Sequence, residues 1–514
     1  MDEENQNLPP AVGEKNENQQ SLANNIEEPT PSSPDNFPAP PAVSETQGFS
    51  QEEQKSPLPP SGGEIPPEQP KQNPFKKIFP LFFGILFIFI VAFLVLKFLL
   101  PRVQKPKEIT LTYWGLWEPE PVMNSVISEW EKDHPQFKIK YLQQSQKEYR
   151  ERLQSALARE EGPDIFRFHL TWVPMLKNEL EPLPTSVMSS SAYEQTFYPV
   201  IAENLRAGTS YLGIPLMIDT LALFYNEDIF LAAGKSPPTT WEELRNVANE
   251  LTVKDETGKI QTAGVALGTP ANVDHWSDIL GLMMLQNGAD LTNPAACSTQ
   301  AGEEVCLGAD ALTYFTVFKN VDHVWDETLP SSTQAFAAGK LAMYFGPSWR
   351  VFDIKALNPK LNFKIIPVPQ LPGDKQKVSW ASFWIEGVAK RSKYKSEAWE
   401  FLKFLSSPAV LERLYQAESN LRLFGEVYPR KEMAEKLKTN PLVAPFVEQM
   451  PQAKTWYLCS FTWDNGINDR MIKYFEDAVN AVNEGKSAKE ALTTASQGIA
   501  QLLSQYGIAS SIIR

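Results

Sequence analysis

The chain has 514 residues, with 48 Lys and Arg against 62 Asp and Glu, a formal net charge of -14, 42 prolines, three cysteines and four histidines. An acidic chain without a block of Lys and Arg lacks the electrostatic footprint that neutralising phosphates requires, which argues against nucleic acid as a partner. Three cysteines cannot build a disulfide scaffold, and His134, His169, His275 and His323, never paired at i, i+4 or beside a cysteine pair, give no metal-ligand spacing.

Residues 1–75 hold 15 of the 42 prolines and 13 acidic residues, with few aromatic or β-branched side chains. Such a stretch cannot bury enough apolar surface to offset the entropy of ordering it, so it reads as a disordered Pro-rich acidic tail. The tail is an extended spacer, with runs such as PSSPDNFPAPPAV also suited to docking in a polyproline conformation. Residues 78–96, IFPLFFGILFIFIVAFLVL, are 19 residues without a charge. Roughly 20 apolar residues cross a bilayer as a helix, so 76–100 is predicted to be a transmembrane helix, followed by a linker over 101–107. A cleaved signal would not sit behind a 75-residue leader, and no small-x-small site or nearby cysteine follows. Lys71, Lys76 and Lys77 on one side face Lys97, Arg102, Lys105 and Lys107 on the other, so flanking charge does not decide the orientation.

About 410 residues remain, too many for one core and enough for two lobes. PVMNSVISEWEKDHP places Val122, Val126, Ile127 and Trp130 on one helical face, and FKIKYL alternates as a strand. A helix (EYRERLQSALARE), a strand (GPDIFRFH), a helix (TWVPMLKNEL) and a strand pair (YLGIPLMIDTLALFYN) follow. Thr240 and Glu243 form a capping box that starts a helix at Trp241. Alternating strands and helices predict open, largely parallel sheets.

LTYWGLWEPE, EGPDIF, YLGIPLMIDTLALFYNEDIFLAAGKSPPTTWEEL, QAFAAGKLAMYFGPSW, SFWIEGVAK before KSEAWEFLKFLSSP, and VYPRKEM occur in this order. Together they make residues 108–505 resemble an extracellular solute-binding protein of ABC importers, in the sugar-binding, maltose-binding-protein-like group. The resemblance implies a two-lobed periplasmic-binding-protein-like (type II) α/β fold over 108–510. One lobe takes about 108–219 and 377–410, the other about 220–376 and 411–510, with crossings near Asp219, near Val378 and after about Ser407. The solute then lies in the interlobe cleft, and its binding shifts a hinge equilibrium towards closure.

Indole faces stack on the C–H faces of sugar rings, and many of the 13 tryptophans must still be core. Trp130, Trp241 and Trp399 sit on amphipathic helix faces and are read as packing. By resemblance, Trp349 in FGPSW and Trp463 in CSFTWDNG are ligand platforms and Asp219 is an acceptor for solute hydroxyls. Trp117 and Glu118 after the first strand, and Arg167, His169 and Trp172 after the strand that follows EGPD, are further candidates. Trp384 and Trp380 sit on the returning crossing, in W-A-S-F-W where many relatives carry glycines, which predicts a narrower or differently shaped cleft.

The expected function is that of a single-pass membrane protein with an extracellular or periplasmic C-terminal domain and a cytoplasmic tail. It would pass a sugar or oligosaccharide to ABC permease subunits, act as a monomer, and need no cofactor, metal or catalytic residue. No G-x-S-x-G or H-E-x-x-H motif is present. The alternative is a sensing ectodomain that signals through its tail. In such an oxidising location Cys297 and Cys306 would close a short loop as a disulfide, two free thiols being the other possibility, and Cys459 would stay unpaired and buried.

Overall fold

The computed structural model describes residues 79–99, 108–373 and 376–509. The tail read over 1–75 and the linker at 101–107 lie outside the described residues. The chain divides into two compact units, Met1–Pro101 and Arg102–Arg514. In the first, Phe79–Leu99 is a 21-residue helix with Lys97 in its last turn. Side chains are described at 84, 86–95 and 97, all of them exposed. Among the residues so described, no helix is long and apolar enough to cross a membrane.

The second unit is built on two mixed sheets. The first carries, in spatial order, Phe137–Gln143, Ile109–Gly115, Ile165–His169, Trp384–Ala389 and Leu180–Glu181, with Ile214–Pro215 also paired to Trp384–Ala389. The second orders Val253–Lys254, Ile260–Val265, Leu341–Gly346, Ala222–Asn226 and Phe363–Ile366.

Each sheet departs from the largely parallel arrangement expected. Helical crossovers keep Ile109–Gly115 parallel to both its neighbours, and Ile260–Val265 parallel to Leu341–Gly346. Ala222–Asn226 and Trp384–Ala389 each enter from the other sheet rather than through a local crossover helix. Both run antiparallel to their neighbours.

A small third sheet joins the two. Asp219–Thr220, on the way out of the first sheet, pairs antiparallel with Ser379–Ser382, on the way back, and Ala453–Lys454 flanks the latter. The predicted strand pair in YLGIPLMIDTLALFYN is thus four short strands feeding different sheets, broken around Gly213 and Pro215. The helix Pro408–Ser419, where the chain was expected to cross, still packs on Glu120–Asp133 beside the first sheet. TWVPMLKNEL is a 3-10 turn, Leu170–Trp172, and a single α turn, Val173–Leu176, rather than a full helix.

Local rules explain the longer elements. Glu120–Asp133 buries Val122, Met123, Val126, Ile127 and Trp130 along one face. In the capping box at Trp241–Leu251 the Glu243 amide donates to the Thr240 hydroxyl at 3.2 Å, and the Thr240 amide donates to the Glu243 carboxylate at 3.2 Å. Trp130, Trp241 and Trp399 are all buried. Cys297 and Cys306 are bonded and staple a hairpin of Ser298–Gln300 and Glu303–Val305, whereas Cys459 is free and buried.

Candidate functional site

A cavity of about 350 Å³ opens where the crossings pass between the two sheets. Its wall takes Trp117 from the loop after the first strand and Asp219 from the outgoing crossing. Trp349 follows Leu341–Gly346, and Trp380 and Trp384 come from the returning crossing. The 460–463 loop adds Ser460, Phe461 and Trp463.

Five rings form a continuous arc. Trp384 meets Trp117 edge-on at 5.2 Å between centroids, Trp117 meets Trp463 at 6.3 Å, Trp463 meets Phe461 at 6.2 Å, and Phe461 meets Trp349 at 5.6 Å. Three of these four contacts are edge-on, which fixes ring orientation while leaving faces open.

The loop that supplies two of these rings holds them at a conformational cost. Phe461, Trp463 and Asn465 have φ of 57°, 48° and 44°, a region that Asn tolerates but that the two bulky rings enter at roughly 1–2 kcal/mol each. Thr462 and Asp464 alternate with them and point inward at 1% and 0% exposure, whereas Phe461 and Trp463 stand 39% and 40% exposed. The Asp464 carboxylate accepts from the amides of Gly466 at 2.8 Å and Asn468 at 3.0 Å, tying the loop to the helix Ile467–Asn483.

Asp219 joins the outgoing crossing to the loop that carries Trp349. Its Oδ2 accepts from both the amide and the hydroxyl of Ser348 at 2.8 Å, and its Oδ1 from the Thr220 amide at 2.8 Å. Burial pushes its pKa up to about 7, the Ser348 bonds opposing and Glu426 adding to the rise. Trp380 donates its Nε1–H to Asp278 at 2.8 Å.

Four of the residues singled out in the sequence lie behind this wall. Arg167 is inside the strand Ile165–His169 rather than after it, and the antiparallel register sets it opposite Glu386. Its guanidinium donates to Glu118 at 2.7 and 2.9 Å and through Nε to Glu386 at 2.7 Å, with all three residues buried. His169 and Trp172 pack behind Trp384, with centroids 5.0 and 5.2 Å away, and are buried too. Trp117, Asp219, Trp349, Trp384 and Trp463 do line the cavity.

Burial lowers the His169 pKa to about 3. Unfolded, the imidazole titrates near 6.5, so between those values the unfolded chain takes a proton that the native chain refuses, and stability falls as pH drops. His169→Asn removes this contribution. We expect the stability gap between parent and variant, read from urea unfolding, to narrow by about 2–3 kcal/mol from pH 7 to pH 4.5. A constant gap would mean that the imidazole takes up its proton in the fold as readily as in the unfolded chain.

The sequence did not single out His275, Arg350, Phe461 or Arg422, which lines the cavity and donates to Glu426 at 2.7 Å. Arg350 donates Nε–H to His275 Nε2 at 2.9 Å, and its Cζ lies 4.3 Å from the Trp349 ring and 4.6 Å from that of Phe461. The sandwich steadies Trp349 from behind. His275 Nδ1 lies 2.7 Å from the Ser460 hydroxyl, and burial, reinforced by Arg350, lowers its pKa. Alternation of inward and outward residues in SFTWD was the one available signal for Phe461.

The sequence profile of a family described as bacterial extracellular solute-binding protein matches residues 125–445, more than half of the chain. The chain belongs to this family. The sn-glycerol-3-phosphate-binding periplasmic protein of Yersinia enterocolitica is 26% identical over 258 residues, which span 46% of this chain and 54% of that protein. The diacetylchitobiose-binding protein of Streptomyces coelicolor is 23% identical over 309 residues, 59% of this chain and 69% of its own.

Among solved structures, the sugar-binding protein MalE from Xanthomonas citri superposes with a TM-score of 0.61 at 22% identity, covering 77% of this chain and 98% of that one. A cyclo/maltodextrin-binding protein complexed with maltotetraose gives 0.61 at 19%, covering 78% and 98%. These likenesses establish a two-lobed periplasmic-binding-protein-like α/β fold.

Proposed function

We propose that this protein is a membrane-anchored extracellular solute-binding protein that captures a carbohydrate between two lobes and delivers it to an ABC-type importer. The arc of five aromatic rings around the cavity is the observation that carries this reading, because sugar rings present C–H faces that stack on indole while their hydroxyls seek acceptors such as Asp219. Trp117, Trp349, Trp384 and Trp463 supply the platforms. The lobes are about 108–219 with 377–410 and 220–376 with 411–510, and Pro408–Ser419 adds to the first. Their relative motion turns on the paired segments Asp219–Thr220 and Ser379–Ser382.

The anchor is the helix Phe79–Leu99. The described side chains alone make no run long and apolar enough to span, so this reading rests on the sequence, which carries no charge from 78 to 96, together with the length of the 21-residue helix, about 31 Å at 1.5 Å each, the thickness of a hydrocarbon core. The tail then faces the cytoplasm and the lobes face outward, where the disulfide is stable.

The protein returns its solute unchanged. Full-length protein in detergent, screened by thermal shift against mono- to tetrasaccharides, is expected to be stabilised by about 2.7 kcal/mol by a bound sugar at 100 times its Kd. The sugar recovered afterwards should be intact. A library without a single stabilising member would overturn the carbohydrate reading, and a chemically altered sugar would make the protein an enzyme.

A further inference from the structure

The charge around the cavity is unbalanced. Among the described residues that line it, Asp219, Asp278 and Glu426 are carboxylates and Arg422 is the one guanidinium. Arg422 is already engaged: its Nη2 donates to Glu418 at 2.9 Å and to Glu426 at 2.7 Å, and Glu418 is itself buried directly behind the wall. Asp219 receives only uncharged donors, from Ser348 and Thr220. Asp278 accepts from Trp380 Nε1 and the Ser460 amide.

Neighbouring cations do not make up the deficit. His275 lies 3.6 Å from Asp278, but the Arg350 Nε–H points at its Nε2, which keeps the ring neutral. Arg350 faces Asp353 at 2.9 Å and Asp274 at 4.0 Å, so its charge is matched on its own side. Burial pushes the pKa of Glu418 up to about 8 and that of Asp219 up to about 7, with Glu426 contributing to both. The free cleft therefore holds negative charge at an energetic disadvantage.

Resting on the carbohydrate reading above, we infer that the solute is an amino sugar, or an oligosaccharide of amino sugars, whose ammonium group is held by Asp219 and Glu426. A cation there offsets charge that the protein leaves uncompensated, in a cavity where partial exclusion of water strengthens the attraction. The aromatic arc serves the same solute twice, because indole faces accept both sugar C–H faces and cations. A phosphorylated solute meets the opposite field, for Arg422 is held by two carboxylates.

Sugars that differ in one group test this. Full-length protein in detergent is titrated with glucose, galactose and mannose, each beside its 2-amino-2-deoxy counterpart, and with cellobiose beside chitobiose. In at least one pair the amine should bind about tenfold or more tightly at low salt, and the advantage should shrink as salt screens it. Asp219→Asn and Glu426→Gln should each weaken the amine severalfold more than they weaken the neutral partner of the pair. Neutral sugars that bind as tightly as their amines overturn this inference and leave the carbohydrate reading standing. A preference that survives both substitutions and high salt also overturns it. Silence of every sugar overturns both.

Discussion

Trp349→Ala is expected to weaken solute binding by about 2 kcal/mol or more with little loss of stability, and Trp241→Ala to do the reverse. Trp349 is half-buried on the cavity wall, and one side of its ring is held by Arg350 and Phe461. Its removal takes away a platform and leaves space that already opens to solvent.

Trp241 is 4% exposed, lies against Phe345 with centroids 5.6 Å apart, and donates its Nε1–H to Gln286. Truncating it removes the packing against Phe345 and orphans the Gln286 carbonyl, a change that costs roughly 3–5 kcal/mol. Calorimetric titration and urea unfolding of both variants, with whichever sugar the thermal-shift screen returns, separate the two roles. If Trp349→Ala binds like the parent, the aromatic arc is not the solute site and the cleft reading fails.

Much of this architecture is legible because it is local. The capping box at Thr240, the face Val122–Val126–Ile127–Trp130 and the alternation in FKIKYL each need fewer than four turns of chain to declare themselves, and the structure places them as read. The cavity wall is legible where a residue follows a strand directly, as Trp117 and Trp349 do.

What the chain hides is set by partners distant in sequence. Arg167 looks like a residue at a strand end until register pairs it with Glu386, 219 positions later. His275 meets Ser460 across 185 positions and Arg350 across 75, and no periodicity encodes either meeting. The direction of Ala222–Asn226 and Trp384–Ala389 is likewise invisible locally, because it follows from which sheet the chain has just left. A motif that names one platform, FGPSW, does not reveal that Arg350 behind it is sandwiched by a ring from the 460–463 loop.

Arg167→Met should be among the most damaging single changes. Arg167 is completely buried and its guanidinium is the partner of both Glu118 and Glu386. Methionine fills much of the volume, so the dominant effect is electrostatic: two carboxylates are left in a dry interior without their cation. Breaking a buried network from one side in this way costs about 3–5 kcal/mol.

The loss should depend on pH, with a sign that packing alone does not give. Glu386 is already pushed up to about 7 by burial, with Arg167 pulling the value down and Glu118 pushing it further up. Removing Arg167 removes the downward pull. The parent's Glu386 sheds its proton as pH rises through about 7 while the variant's keeps it, so the variant gains stability relative to the parent as pH falls from 8 to about 7 and little more below that. The stability gap should be widest at pH 8 and narrow at pH 5, read from urea unfolding at both.

A further change, Arg167→Met with Glu386→Gln and Glu118→Gln, should recover part of the loss at pH 8 by removing the stranded charges, and should leave little dependence on pH. A gap below about 1 kcal/mol, or one indifferent to pH, would show that water reaches the triad and that the floor behind Trp117 and Trp384 is not the dry support described here.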